Sequence, residues 1–156
     1  MPVPLGTPAT PDVLPTIMLV DDDDIGRAFL RTFLSHAGFA VHEAAGGAAA
    51  IAMQRERPAD LVLMNVQMPQ VDGIAAAGGI RATEVALRRR RVPILAFTAT
   101  ASPCIRERCI SAGMDDCMTM PLDYSELLTY VSRWLRRPAK GMMPAAAEQS
   151  GSQVPG

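Results

Sequence analysis

Four consecutive aspartates, Asp21 to Asp24, directly follow the apolar run Thr16-Ile17-Met18-Leu19-Val20. Adjacent carboxylates beside neutral oxygen donors suit a magnesium ion, which takes oxygen ligands and keeps several of its waters. They equally suit a helix start, with Asp24 as N-cap and its acidic neighbours favoured by the helix dipole. Asn65 ends a second apolar run, Thr98 follows a third, and Met120 precedes Pro121. Of the 15 basic residues, the only lysine is Lys140, so chemistry that needs a lysine ammonium in the core has none.

Other reactive side chains point less clearly. Cys104, Cys109 and Cys117 are odd in number and form no C-x-x-C pair, which argues against a disulfide framework or a zinc site. Cys117 suits plain packing, and Cys104 and Cys109 suit structural roles on a helix. His36 and His42 fall in no metal-ligand spacing. Gly46-Gly47 lacks the Gly-Lys-Ser/Thr of a phosphate-binding loop. The basic run Arg88 to Arg91 suits a solvated loop, because no aromatics interleave with it. Trp134 is a candidate for a half-exposed partner contact.

The elements that position these groups follow from the hydrophobic period. Residues 16–20 suit a strand buried on both faces. From Asp24 the period becomes helical, with Ile25, Phe29, Phe33, Leu30 and Leu34 in one stripe, up to a left-handed cap at Gly38. A strand over 39–44, a helix over 48–56 ended by Pro58, and a buried strand over 60–65 come next. Gly78-Gly79 predicts a poorly stable helix over 73–84, at roughly 1 kcal/mol per glycine against alanine. A strand over 92–97 precedes a helix that opens at Ser102-Pro103 and closes at Gly113. A short strand over 116–119 leads to a last helix, where Asp123 and Glu126 resemble a capping box and Leu127, Leu128, Val131 and Leu135 form the stripe. Five strands alternating with five helices predict an α/β fold, a doubly wound parallel sheet with helices on both faces. Its working site lies at the carboxyl ends of the strands, where Asp21, Asp22, Asn65, Thr98 and Met120 fall.

Length and composition agree with a single globular domain. The chain has 156 residues, 49% apolar and 20% charged, with a formal net charge of −1. That balance supplies no general pull toward nucleic acid or an anionic membrane. No apolar run approaches the roughly 18 residues a bilayer span needs, and Met1 to Pro15 is no secretory signal, so a cytoplasmic location is expected. Residues 1–15, with five prolines, suit a flexible leader, and 138–156 a flexible tail around a folded 16–137. Both flanks are tail-like, so no attached DNA-binding or catalytic module is expected.

Val20-Asp21-Asp22, Asp60 to Gly73 with its M-P-x-x-D-G segment, Phe97-Thr98-Ala99 and Met120-Pro121 together resemble a response regulator receiver domain of the CheY-like kind. The resemblance runs from about Thr16 to Arg137. It implies the flavodoxin-like strand order 2-1-3-4-5 and a role in two-component phosphorelay signalling. It also implies magnesium at Asp21, Asp22, residue 65 and the carbonyl of Gln67, and phosphoryl contacts from Thr98 and residue 120. Two positions depart from that pattern: Asn65 stands where the phosphoacceptor aspartate belongs, and Met120 where the lysine belongs. An amide is a poor nucleophile where a carboxylate is required. The resemblance also places Cys117 at the switch position, where an aromatic residue is usual.

The expectation is therefore a stand-alone pseudo-receiver that is not an enzyme. Its magnesium binding is weak or absent. It acts by phosphorylation-independent contact with a histidine kinase or another signalling protein, through about 103–136. The alternative is a magnesium-dependent haloacid-dehalogenase-type phosphatase using Asp21 and Asp23, Thr98 and Asp115-Asp116. The missing core lysine and the M-P-x-x-D-G segment weigh against it.

Overall fold

The computed structural model describes residues 14–100, 102–121 and 123–136. The leader and tail expected from the sequence fall almost wholly outside them. The elements are β1 (Thr16–Val20), α1 (Asp24–His36), β2 (Ala40–Ala44), α2 (Gly47–Glu56) and β3 (Leu61–Asn65). They continue with α3 (Gly73–Ala86), β4 (Ile94–Thr98), α4 (Pro103–Ser111), β5 (Asp116–Thr119) and α5 (Tyr124–Leu135). The strands form one parallel sheet in the order β2-β1-β3-β4-β5, the doubly wound arrangement expected.

The period-2 alternation of the strands divides the core into two layers. Met18, Val20, Val62, Met64, Ile94 and Ala96 face α2, α3 and α4, meeting Ala50, Ala76, Ala77, Ile80 and Cys109. Ile17, Leu19, Leu61, Leu63, Leu95 and Phe97 face α1 and α5, meeting Leu30, Leu34, Leu127 and Val131. β1, β3 and β4 are thus covered on both sides, as parallel strands require.

Several local expectations need correction. Asp23, not Asp24, is the N-cap of α1, and Asp24 lies in the first turn, where it pairs with Arg27 at 2.9 Å. Only the Leu30–Leu34 part of the α1 stripe is buried. Ile25 is 82% exposed and Phe29 60%, because the sheet ends before α1's first turns. Phe33 and Phe29 instead meet the Tyr124 ring of α5, at centroid distances of 4.6 and 5.6 Å. β4 begins two residues later than expected. The Val92 amide donates to the Glu84 carboxylate at 3.0 Å and Pro93 has no amide, so the strand starts at Ile94.

The helix expected to be weak is α3, and at 14 residues it is the longest described. Its glycines do different things. A Cβ on Gly79 would stand 2.5 Å from Cδ1 of Ile51, so the missing side chain lets α3 close onto α2. Gly78 faces open space. The helix runs through both glycines, with Ile51 packed where a side chain at 79 would stand.

The basic run lies in the loop before β4 with Arg88, Arg90 and Arg91 exposed, as expected, but three of its four arginines also hold partners. Arg89 donates to the carbonyls of Gln54 and Arg55, at 2.9 and 2.6 Å, at the C-terminal end of α2. Arg91 pairs with Asp115 at 2.9 Å, and Arg90 reaches Asp60 at 3.5 Å. Beside them Arg81 spends its whole fork on Glu84, Asp115, the Gly113 carbonyl and the Val92 carbonyl, all at 2.8 to 3.1 Å. These guanidiniums tie α2, α3, β4 and the α4–β5 turn together at the amino end of the sheet.

Glycine positions supply one test. Gly78→Ala should stabilise the protein by about 0.5–1 kcal/mol, since the helix gains propensity without a clash. Gly47→Ala should destabilise it by about 1–3 kcal/mol, because its Cβ would meet the Val71 carbonyl oxygen at 2.3 Å. Urea unfolding of both variants reads the two signs.

His42 of β2 supplies another. Its Nδ1 is buried without a hydrogen-bond partner, and Arg57 stands 3.5 Å from Nε2. Burial first, and the Arg57 charge second, hold its pKa below the ordinary 6.5. The folded state therefore resists protonation. This contribution is complete above the unfolded pKa and is lost as pH falls from there through the lowered folded value. His42→Gln lacks that titration, so its stability relative to wild type should improve as pH drops below about 6.5. Urea midpoints of the two proteins across that range give the comparison.

Candidate functional site

The strand order β1-β3-β4 sets Asp21, Asn65 and Thr98 side by side along the carboxyl edge of the sheet. Asp21 is buried although it carries a carboxylate. Its Oδ1 accepts from the Asp23 amide at 3.1 Å and from Nδ2 of Asn65 at 3.0 Å. Oδ1 of Asn65 accepts from the Gln67 amide at 3.2 Å. This pair of contacts settles which way the Asn65 amide faces. Turning it over would set oxygen against carboxylate and N–H against N–H.

The M-P-x-x-D-G segment now has a mechanical account. Asp72 caps α3, with Oδ1 accepting from the Ala75 amide at 2.9 Å. The Gly73 amide donates to the Val66 carbonyl at 2.9 Å. A Cβ at Gly73 would lie 2.5 Å from the Asn65 carbonyl oxygen, so only glycine lets α3 start this close to the end of β3. Gln70, at φ 64°, carries the chain through the intervening turn.

The remaining site positions go to different environments. Oγ1 of buried Thr98 accepts from the Thr100 amide at 3.1 Å, while the Met120 amide donates to the Thr98 carbonyl at 2.8 Å. The Met120 side chain packs on the α1–α5 layer with Phe97 and Leu127. Cys117 packs on the opposite layer, against α4. Asp22 and Gln67 are exposed at the rim. Trp134 is partly buried against the α1–α5 layer.

One residue of this corner was missed in the sequence. Arg27 donates to the Asp21 carbonyl at 2.7 Å, to Asp24 at 2.9 Å and to Glu43 at 3.0 Å. Burial works against its charge, but the hydrogen bonds it donates to Glu43 and Asp24 outweigh it and hold the guanidinium above its ordinary range. Its fork joins α1 to β2 beneath the acidic loop. The only signal in the sequence was its helical position after the aspartates, and nothing there names Glu43 as partner.

The phosphatase arrangement does not assemble. The Asp115 carboxylate accepts from the Ile94 amide, at 2.8 Å, and from Arg81 and Arg91, all at the amino end of the sheet. Asp116 pairs with Arg106 at 2.7 Å and accepts from the Tyr130 hydroxyl. Asp21 lies at the opposite, carboxyl end. Among the described residues no three His, Cys, Asp or Glu side chains cluster to hold a metal ion.

A family model for the response regulator receiver domain matches residues 17–132. The chain belongs to that family. It is 36% identical over 138 residues to the sensor protein GacS of Pseudomonas syringae pv. syringae, covering 86% of this chain and 15% of that protein. It is 34% identical over 154 residues to the virulence sensor protein BvgS of Bordetella pertussis, covering 96% and 12%. The receiver therefore spans only a small part of these relatives. Among solved structures, the receiver domain of a Pseudomonas aeruginosa sensor histidine kinase, with magnesium in its active-site cleft, matches at 33% identity and a TM-score of 0.71, covering 79% of this chain and 98% of that one. The receiver domain of a Saccharomyces cerevisiae response regulator, co-crystallised with a histidine phosphotransfer protein, matches at 28% identity and 0.70, covering 79% and 91%. No helix of the described residues is long and apolar enough to cross a membrane.

The Asn65 contact generates a stability test. Asn65→Asp replaces the N–H that meets Asp21 by a second carboxylate oxygen. The variant should lose about 1–3 kcal/mol in the presence of a chelator. Denaturant unfolding at neutral pH measures the loss, and an unchanged midpoint would remove Asn65 from contact with Asp21.

Proposed function

We propose that this receiver is a pseudo-receiver, which acts by binding protein partners without being phosphorylated. The observation that carries the proposal is the Asn65 amide, hydrogen-bonded to Asp21 at the position where phosphoryl transfer needs a carboxylate nucleophile. Met120 supports it. A thioether packed among apolar side chains has no charge to offer a phosphoryl oxygen, and Lys140, the chain's only lysine, lies beyond α5.

Magnesium binding is weak on this reading. Asp21, Asp22 and the carbonyl of Gln67 are the oxygen donors that would hold the ion, which would supply charge neutralisation. Asn65 presents an N–H to Asp21 rather than an oxygen, so an ion must displace that contact. Partners are a histidine kinase or another signalling protein, met through about Pro103 to Arg136 on α4, β5 and α5. Two features of that face favour it. Arg106 and Tyr130 converge on Asp116 across all three elements, and Ile110 leaves apolar surface exposed. Neither nucleic acid nor membrane is a partner in this reading, and its setting is the cytoplasm. The folded unit in this reading is 16–137, and the flanks expected at 1–15 and 138–156 fall almost wholly outside the described residues.

The test is phosphoryl incorporation from acetyl phosphate with magnesium, in four proteins side by side. Wild type and Met120→Lys should form no hydroxylamine-sensitive acyl phosphate. Asn65→Asp regains the nucleophile and should react slowly. Asn65→Asp with Met120→Lys regains nucleophile and cation together, with Thr98 already in place, and should react roughly a hundredfold faster than Asn65→Asp alone. Acyl phosphate on the wild-type chain would overturn the proposal. An inert, folded double variant would show that Asn65 and Met120 are not the altered pair.

A further inference from the structure

Helix α4 is held to the sheet by very little. Of its nine residues only Cys109 is buried, and it lies in the layer formed by Met64, Ile94 and Ala96. Cys117, on β5 beneath α4, packs against the same layer and keeps part of its surface in solvent. Cys109 and Cys117 are therefore neighbours across the packing of α4 on β5. Arg106, one turn before Cys109, donates to the Cys117 carbonyl at 3.3 Å and to Asp116 at 2.7 Å, which ties α4 to β5 beside the two cysteines. Cys104, the third cysteine, is exposed at the other end of α4.

We propose that Cys109 and Cys117 are a redox-modification site, closed by a hydroperoxide into an intramolecular disulfide that staples α4 to β5. The site lies away from Asn65 and Asp21 and does not rest on the pseudo-receiver reading.

Exposure divides the roles. Cys117 is the sulfur an oxidant reaches, and Cys109, its buried neighbour, is the resolving thiol. Burial foremost, with Cys117 second, pushes the Cys109 thiol up to about 12, so it stays protonated until Cys117 has reacted. The Cys117 thiolate attacks the terminal peroxide oxygen and breaks the O–O bond. Two electrons leave sulfur, and the departing alkoxide or hydroxide takes up a proton. Cys117 is then a sulfenic acid. The Cys109 sulfur attacks the Cys117 sulfur, the S–O bond breaks, and the leaving hydroxide takes the Cys109 proton as water. Two thiols and one hydroperoxide become one disulfide, one alcohol (or water) and one water.

The consequence is mechanical. The single buried anchor of α4 becomes covalent, and Arg106 is kept over Asp116 and Tyr130. A surface that includes α4 and β5 then loses the freedom of α4 to shift.

The experiment uses the full chain carrying Cys104→Ser, treated with hydrogen peroxide while folded and analysed by intact mass and non-reducing peptide mapping. The expected result is loss of the mass of two hydrogens, a peptide linking Cys109 to Cys117, and reversal by dithiothreitol. Amide exchange across 103–111 should slow several-fold on oxidation. Cys109→Ala in the same background should stop at a dimedone-reactive sulfenic acid on Cys117, and Cys117→Ser should leave Cys109 unmodified. Oxygen addition at Cys117 with Cys109 still open to alkylation after unfolding would overturn the proposal. So would a bridge that forms only in denaturant, or one between two chains. Should Cys109→Ala fail to fold, the linked peptide and the Cys117→Ser protein still decide the matter.

Discussion

Three adjacent strands buried on both faces impose the main constraint on this molecule. β1, β3 and β4 can satisfy their backbone groups only through the parallel ladder, and their side chains must be apolar in both directions. Polar chemistry is therefore pushed to the strand ends. The register then decides which ends are neighbours, and it sets Val20 beside Met64 and Asn65 beside Phe97. One residue beyond Val20, the Asp21 carboxylate comes within hydrogen-bond reach of Asn65. The carboxyl edge is a site because the interior leaves no other place for such groups.

Both ends of the sheet carry charge, and they use it differently. At the amino end, acids and arginines pair almost completely, with Glu84 and Asp115 also holding backbone amides of Val92 and Ile94. At the carboxyl end the aspartates outnumber their cations. Arg27 engages Asp24 and Glu43, while Asp21 is served by neutral donors, the Asp23 amide and the Asn65 side chain. A neutral amide at residue 65 suits that imbalance, since a third carboxylate would stand against Asp21 in a buried setting.

Arginine in place of lysine runs through the whole fold. Arg81 fills four acceptor sites at once, Arg27 three, and Arg89 two carbonyls of one helix end. A planar fork of five donors can do this, and an ammonium on a flexible stem cannot hold so many acceptors in fixed directions. The guanidiniums thus behave as struts between elements, and the local clustering of Arg88 to Arg91 reflects the crowding of several element ends near one pole.

The sequence by itself determined the alternation of strands and helices, the parallel sheet and the edge where Asp21, Asn65 and Thr98 fall. Those follow from hydrophobic period and turn residues, which act over a few positions. It also displayed Asn65 and Met120 against the receiver pattern. Tertiary structure alone decided the rest. Whether Ile25 and Phe29 are core or surface depended on where the sheet ends beneath α1. How closely α3 sits on α2 depended on Ile51 filling the space over Gly79. The work of Arg27 depended on Glu43, a residue of another strand. Cys109 and Cys117 read as separate packing residues until α4 was laid over β5. Each of these turns on contacts between segments brought together only by the crossovers, and no local pattern records such contacts.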